Sequence, residues 1–286
     1  MKSGFVAVIG VPNAGKSTLI NALMGDRLLI TSAKRQTTRQ QFRCILTTDA
    51  YQIIFVDTPG LHEPKNKLGE FMLRESLNSV ANSDIVLYIL DAANPDDELP
   101  VDFPRGKPVI LVLNKADLLL PNRVEELKER FQAQGRFSRV LAISAFNRTN
   151  LDALLQAIVD CLPEGDLLYP PDQLMDCDYR LLAAELIREQ ALLHLEEEVP
   201  HGIAVEIVAF SESDDEAVIQ ANIIVERESH KGIVIGRKGT KLKTIGTGAR
   251  LEIQNLMDKK VHLKLWVKVR KNWRKDPAQL KGLGYR

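Results

Sequence analysis

Three short motifs in the first 120 residues carry the chemistry of a nucleotide site. Gly10-Val11-Pro12-Asn13-Ala14-Gly15-Lys16-Ser17 matches G-x-x-x-x-G-K-[ST] and lies between an apolar run, Phe5–Ile9, and a helical pattern, Ser17–Met24. In that setting the glycines let backbone N–H groups turn inward around phosphate oxygens. Lys16 reaches the β/γ-phosphates, the Ser17 hydroxyl is a ligand for Mg²⁺, and Thr18 continues the cradle. Asp57-Thr58-Pro59-Gly60 closes a second apolar run, Ile53–Val56. An Asp there holds Mg²⁺ through water, and the Gly60 N–H senses a γ-phosphate. Asn114-Lys115-Ala116-Asp117 closes a third run, Val109–Leu113. Guanine offers N1–H and N2–H₂ as donors, and one carboxylate accepts both. Adenine puts an acceptor at N1, which the Asp117 carboxylate repels.

Two weaker segments complete the set. Ser144-Ala145 ends a short apolar run at Ile143, and a backbone N–H there is placed for the guanine O6. Gln36-Thr37-Thr38-Arg39-Gln40 separates the first helix from the next strand and reads as a switch loop whose Thr closes on Mg²⁺ and the γ-phosphate. The candidate catalytic set is thus Lys16, Thr38 and Gly60, and the candidate metal set Ser17, Thr38 and Asp57.

A fourth motif lies far along the chain. His230–Ile245 contains Gly236-Arg237-Lys238-Gly239, preceded by apolar Val234-Ile235 and followed by an apolar-periodic helix. Glycines at this spacing allow close approach to a nucleic-acid backbone. Arg237 and Lys238 meet phosphates, Ile235 meets a base, and Lys231, Lys241 and Lys243 add charge. Residues 226–275 hold fifteen Lys and Arg against four acids, a net of +11, so the neutral total hides a basic segment and leaves −11 elsewhere. Charge of that density points to a polyanion. Trp266 and Trp273 flank part of it. Base stacking is one role for Trp266; packing inside an alternating strand is the favoured one.

The elements that position these motifs follow from the pattern. Phe5–Ile9, Ile53–Val56, Ile85–Leu90 and Val109–Leu113 are continuous apolar runs, as strands covered on both faces require. Helical segments at Ser17–Met24, Leu68–Val80, Arg123–Gln134 and Leu151–Asp160 alternate with them. The rhythm predicts an α/β domain with a mainly parallel sheet over 1–163. Leu162–Gly165 and Tyr169-Pro170-Pro171 break the pattern, and 164–178 reads as a linker. Beyond it the order is α-β-β-α-α-β, a smaller α+β domain over 179–286 ending in a short helix and tail.

At 286 residues two domains are expected. Apolar content of 45% and charged content of 27% exclude disordered and fibrous classes. Cys44, Cys161 and Cys177 are odd in number and widely spaced, so neither a disulfide framework nor a zinc site is indicated. No apolar run approaches the ~20 residues of a membrane span. A reducing, cytoplasmic setting is the expectation.

Together GVPNAGKS, QTTRQ, DTPG, NKAD and ISA resemble the translation-factor-type P-loop GTPases over residues 1–160. The G-x-x-G unit and its element order resemble a type II KH domain. The combination is similar to the Era-like GTPases from end to end. That resemblance implies GTP and GDP as ligands, with Mg²⁺ as cofactor. It also implies a partner in the 3′ region of small-subunit ribosomal RNA, a role in small-subunit maturation, a monomer, and weak peripheral membrane association. Asn13 is similar to the P-loop asparagine that binds K⁺ in cation-stimulated relatives. One departure matters: Leu61 stands where Ras-like enzymes place a water-orienting Gln. Slow intrinsic hydrolysis follows, with water positioned by switch backbone or by a partner. His62 is a weaker candidate base. A non-enzymatic RNA-binding assembly factor with a mainly structural nucleotide site is the alternative.

Overall fold

A computed structural model describes residues 1–29, 38–95, 103, 104, 106–195, 199 and 202–285. They form two compact units, the first comprising residues 1–29, 38–64 and 72–176 and the second mainly 177–285.

The first unit is built on a seven-stranded sheet. Its strands are β1 (Lys2–Gly10), β2 (Phe42–Thr47), β3 (Tyr51–Asp57), β4 (Ile85–Asp91), β5 (Val109–Asn114), β6 (Arg139–Ala142) and β7 (Met175–Asp176), in the order β6-β5-β4-β1-β3-β2-β7. β1 pairs in parallel with β3 and β4, and the parallel run continues through β5 to β6. β2 is antiparallel to β3, and β7 to β2. The helices are α1 (Lys16–Met24), α2 (Lys67–Ala81, residues 72–81 of which belong to this unit), α3 (Pro121–Gln132) and α4 (Leu151–Cys161). Val6–Ile9, Ile85–Leu90 and Val109–Leu113 are buried throughout, which is why their sequence is apolar without alternation. Strand order reverses at β1, so the loop leaving its C-terminal end opens where α/β sheets bind ligands.

The sequence pattern did not mark β2 or β7. Arg43 is exposed within β2 and interrupts its apolar run, and β7 has only two residues. Residues 164–176, expected as a linker, are fastened to this unit. The Ser3 hydroxyl donates to Asp166 O at 2.7 Å. The fully buried Gln52 accepts from Leu168 N and Tyr169 N, at 2.8 and 3.0 Å, and donates to Tyr169 O at 2.9 Å. Arg43 and the Tyr169 hydroxyl both donate to Asp176, at 3.0 and 2.7 Å. These bonds satisfy backbone that the prolines exclude from regular structure.

The second unit has a three-stranded sheet, β8 (Ala204–Glu212), β9 (Glu216–Val225) and β10 (Lys260–Val269), in the order β10-β9-β8. β8 is antiparallel to β9, and β10 is parallel to it. Helices α5 (Tyr179–His194), α6 (Glu228–Ile235), α7 (Thr240–Met257) and α8 (Pro277–Gly282) complete it, in the α-β-β-α-α-β order the sequence predicts. α8 starts on an Asp276 cap, whose carboxylate accepts from Ala278 N and Gln279 N. Trp273 is fully buried and donates Nε1–H to Gly202 O at 3.1 Å. Trp266 overturns the packing expectation, since it is 45% exposed. Val261 and Val267 are buried and Leu263 and Leu265 half-buried, while Lys260, Lys264, Trp266 and Lys268 occupy the alternate, exposed positions.

Among the described residues no helix is long and apolar enough to cross a membrane. Cys44, Cys161 and Cys177 form no disulfide among the described residues.

Candidate nucleotide and RNA sites

β1 ends at Gly10 and α1 begins at Lys16, so Val11–Gly15 forms a tight loop at a helix N-terminus. Asn13 and Gly15 take left-handed backbone, φ 65° and 95°. Gly15 is obligatory on packing grounds too: a Cβ there would lie 2.3 Å from Asn114 Nδ2. Asn114 is buried and clamps two loops, donating to Ala14 O at 2.8 Å and accepting from Ala145 N at 3.0 Å. It therefore holds the phosphate loop and the Ser144-Ala145 turn in one frame. Lys115, also left-handed at φ 62°, pairs with Asp91 at 2.7 Å. Asp117 is exposed, and it shares the wall of one cavity with Ser144.

Lys16 lies inside the loop and donates to Gly10 O and Val11 O at 3.1 and 3.2 Å. Burial pushes its pKa down to about 8, and nearby Asp57 only partly opposes the shift. Between about 8 and the ordinary 10.5 the unfolded chain binds more protons at this residue. Its burial therefore costs stability below pH 8, and that cost is relieved as pH rises through the window. A phosphate seated beside Lys16 restores its charge, so binding at about pH 9 is expected to take up close to one proton. Calorimetry in two buffers of different ionisation enthalpy reads this directly. Uptake should vanish in Lys16→Met, and heats independent of buffer in the parent protein would refute it.

The three candidate metal residues come from separate segments and meet. Ser17 Oγ and Thr38 Oγ1 both donate to Asp57 Oδ2, at 2.9 and 3.0 Å, and lie 3.2 Å from each other. Asp57 is buried, which raises its pKa against the lowering influence of Lys16 and these hydroxyls. Its other oxygen, Oδ1, is buried with no hydrogen-bond partner. Two hydroxyls and a carboxylate with one uncommitted oxygen form an all-oxygen donor set, the kind a small hard cation such as Mg²⁺ takes. Thr37 lies outside the described residues.

Gly60 is held close to the phosphate loop: a Cβ on it would meet Pro12 N at 2.9 Å. Leu61 N donates to Gly10 O at 3.0 Å. The Leu61 side chain is buried in the core cluster with Ile9, Val80, Val86 and Tyr88, turned away from polar chemistry. His62 Nδ1 sits 2.9 Å from Gly60 O, which ties the ring to the backbone.

In the second unit Gly236–Gly239 forms a sharp turn between α6 and α7. Lys238 and Gly239 have φ 52° and 76°. Gly236, at φ 72°, passes so close to α7 that a Cβ would lie 2.7 Å from Lys241 Cβ. Arg237, Lys238 and Lys243 are exposed, while Lys231, Ile235 and Lys241 are half-buried. Next to the turn, α7 and β10 enclose a groove of about 360 Å³ lined by Leu242, Gly246, Arg250, Leu263 and Leu265 among others. Sequence reasoning missed these residues as site members. The signal was the inward phase of β10, since half-buried leucines facing a glycine on α7 leave an apolar slot.

The chain is similar to known proteins over its whole length. A family model described as "50S ribosome-binding GTPase" matches residues 5–115, and one described as "KH domain" matches 198–274. The chain is 47% identical to "GTPase Era" of Thermoanaerobacter sp. strain X514, covering 99% of this chain and 96% of that protein. It is 45% identical to "GTPase Era" of Clostridium perfringens strain 13, covering 100% and 98%. Among solved structures, a variant of Aquifex aeolicus Era bound to GDP·AlF₄⁻ aligns with a TM-score of 0.95 at 40% identity, over 100% of this chain and 99% of that one. Era in complex with MgGDPNP and nucleotides 1506–1542 of 16S ribosomal RNA aligns with a TM-score of 0.94 at 41% identity, again over 100% and 99%.

Proposed function

The chain belongs to the Era family of GTPases, and on that premise we propose that it is a GTP-hydrolysing switch. It binds the 3′ region of small-subunit ribosomal RNA through its KH unit and assists maturation of the small ribosomal subunit. Asp117 accepts from guanine N1–H and N2–H₂, and Asn114 braces the two loops by accepting the Ala145 N–H, which is therefore committed to Asn114 and not to O6. Gly10–Thr18 cradles the phosphates with Lys16 among them. Ser17 and Thr38 ligate Mg²⁺, and Asp57 holds it through water. When bound, Mg²⁺ supplies positive charge across the β- and γ-phosphate oxygens. Thr38 and the Gly60 N–H read the γ-phosphate, and their order is the switch.

The observation that carries this reading is the meeting of Ser17 and Thr38, 3.2 Å apart, at one oxygen of the buried Asp57 carboxylate whose other oxygen is uncommitted. The switch threonine is useful only if it reaches the metal residues. Intrinsic turnover is slow, because Leu61 is 2% exposed in an apolar cluster and orients no water. Water positioning falls to switch backbone, to a partner, and to K⁺ held at the exposed Asn13. Cytoplasmic location and a monomeric state belong to the same reading. So does weak peripheral attachment to anionic membrane, supported by the +11 charge of residues 226–275.

GTP turnover with and without RNA carrying the small-subunit 3′ end, in potassium and in sodium, tests the reading. RNA should raise the rate by about tenfold or more, within the usual range of coupling between sites, and potassium should exceed sodium. Binding of GTP without turnover under every condition would leave a non-enzymatic RNA-binding factor.

A further inference from the structure

The face of the second unit's sheet that turns away from α7 carries a row of charge that neither site above uses. Leu263 and Leu265 point into the groove beside α7. By strand alternation Lys260, His262, Lys264, Trp266 and Lys268 therefore point the other way, and all five are exposed. Trp266 leaves 45% of its surface open. Lys264 and Lys268 flank it at same-face positions, each about 7 Å along the strand.

Acids on this face are already matched. Glu206, which lies in register with Asn222 and through it with Trp266, accepts from Arg270 at 2.6 and 2.7 Å and from Asn222 at 2.9 Å. Those partners, with Lys268 nearby, hold its carboxyl below the usual range against the opposing effect of burial. Glu216 lies 3.3 Å from His262. Lys264 and Lys268 make no ion pair with any described residue. The row is therefore a cation–indole–cation line along one strand with net positive charge.

We propose that this face is a second RNA-binding surface, on which an unpaired base stacks on the Trp266 indole while flanking phosphates meet Lys264 and Lys268. The inference goes beyond the function proposed above, which assigns RNA to the KH unit as a whole and names no residue of this face. The composition selects the partner. Lysine is depleted in protein–protein interfaces, whereas an aromatic platform bordered by basic side chains is the general device for single strands. A second copy of the chain would bring like charge against like. A single-stranded ligand is required because a paired base hides its π-face.

The chain contains two tryptophans, and Trp273 is fully buried, so any RNA-dependent change in indole accessibility belongs to Trp266. The test uses the full chain and two RNAs. One has about four nucleotides, the length a KH turn clamps. The other is an unstructured strand of about 20 nucleotides, longer than one fold's ordinary site. The long strand should shield Trp266 from acrylamide, and the short one should not. Trp266→Ala should weaken the long strand about tenfold and leave the short one unchanged, while Trp266→Phe retains most of the affinity. Lys264→Gln with Lys268→Gln should reduce the salt slope for the long strand by about 1.4.

Long-strand affinity unchanged in Trp266→Ala, with the indole unshielded, would overturn the proposal. Shielding that follows protein concentration or anionic vesicles but not RNA would overturn it in favour of a second copy or a lipid surface. Binding of both strands with Trp266 left unshielded by the long one refutes this surface alone, whereas failure of both RNAs to bind refutes RNA binding by the KH unit itself.

Discussion

Asp117→Asn is expected to lower GTP affinity about a thousandfold and to raise XTP affinity by a comparable factor. The carboxylate accepts two donors, N1–H and N2–H₂. The amide keeps one acceptor and turns a donor toward N2–H₂, which leaves two donors facing each other. Xanthine carries a carbonyl at that position and pairs with the same amide. Sites that hydrogen-bond a substrate group reject mismatches by 10⁴–10⁵ when fully enclosed, and the exposure of Asp117 moderates that figure. The substitution is clean because Asp117 has no structural duty comparable to Asn114, which bonds to both Ala14 O and Ala145 N. Competition between GTP and XTP at equilibrium measures the switch. A GTP affinity within tenfold of the parent protein would remove Asp117 from base recognition.

How much of this was legible beforehand depends on how far apart the cooperating residues lie. The phosphate loop is local, and its strand–loop–helix setting follows from the apolar run Val6–Ile9 and the glycines after it. The Asn114–Asp117 motif is local too, but its coupling to the Gly10–Ser17 loop is not. Nothing in the sequence says that Asn114 will reach Ala14, or that Gly15 must lack a Cβ because one there would lie 2.3 Å from Asn114 Nδ2. The Ser17–Thr38–Asp57 cluster was anticipated only because each residue sits in a motif with a separate chemical rationale. The uncommitted Asp57 oxygen is a tertiary fact.

β2 was missed because Arg43 interrupts its apolar run, and the groove because α7 and β10 meet only in three dimensions. Leu61 shows how identity and placement differ. Its apolar side chain predicts that it cannot orient water, but only the fold shows it spent on the core with Ile9 and Tyr88. Trp266 is the opposite case. General burial statistics favour packing for a tryptophan. Yet it shares strand parity with Lys264 and Lys268, while Leu263, Leu265 and Val267 hold the inward phase. The parity was readable, and it outranks the residue's average preference.

Arg237→Glu combined with Lys238→Glu is expected to reduce RNA affinity by two to three orders of magnitude near 0.1 M salt. Both side chains are exposed at the tip of the turn, so reversal changes the local charge by four without disturbing the core. The backbone tolerates it as well: Lys238 already occupies left-handed space at φ 52°, and a Glu there meets the same steric cost as the Lys it replaces. Two lost phosphate contacts should flatten the dependence of log affinity on log salt by about 1.4 for a single strand. Circular dichroism of the variant should match the parent, because Gly236 and Gly239, whose conformations shape the turn, are untouched.

The decisive reading is GTP turnover with RNA present. If the turn is where RNA is sensed, stimulation falls with RNA affinity while unstimulated turnover holds, because the nucleotide residues lie in the other unit. A coupling free energy acts in both directions, so GTP should then tighten RNA binding in the parent protein by the same factor by which RNA tightens GTP. If stimulation survives the double reversal at saturating RNA, the turn contributes affinity and not the signal. The switch loops then receive RNA through a different contact, and the salt slope of that residual stimulation counts the phosphates it uses.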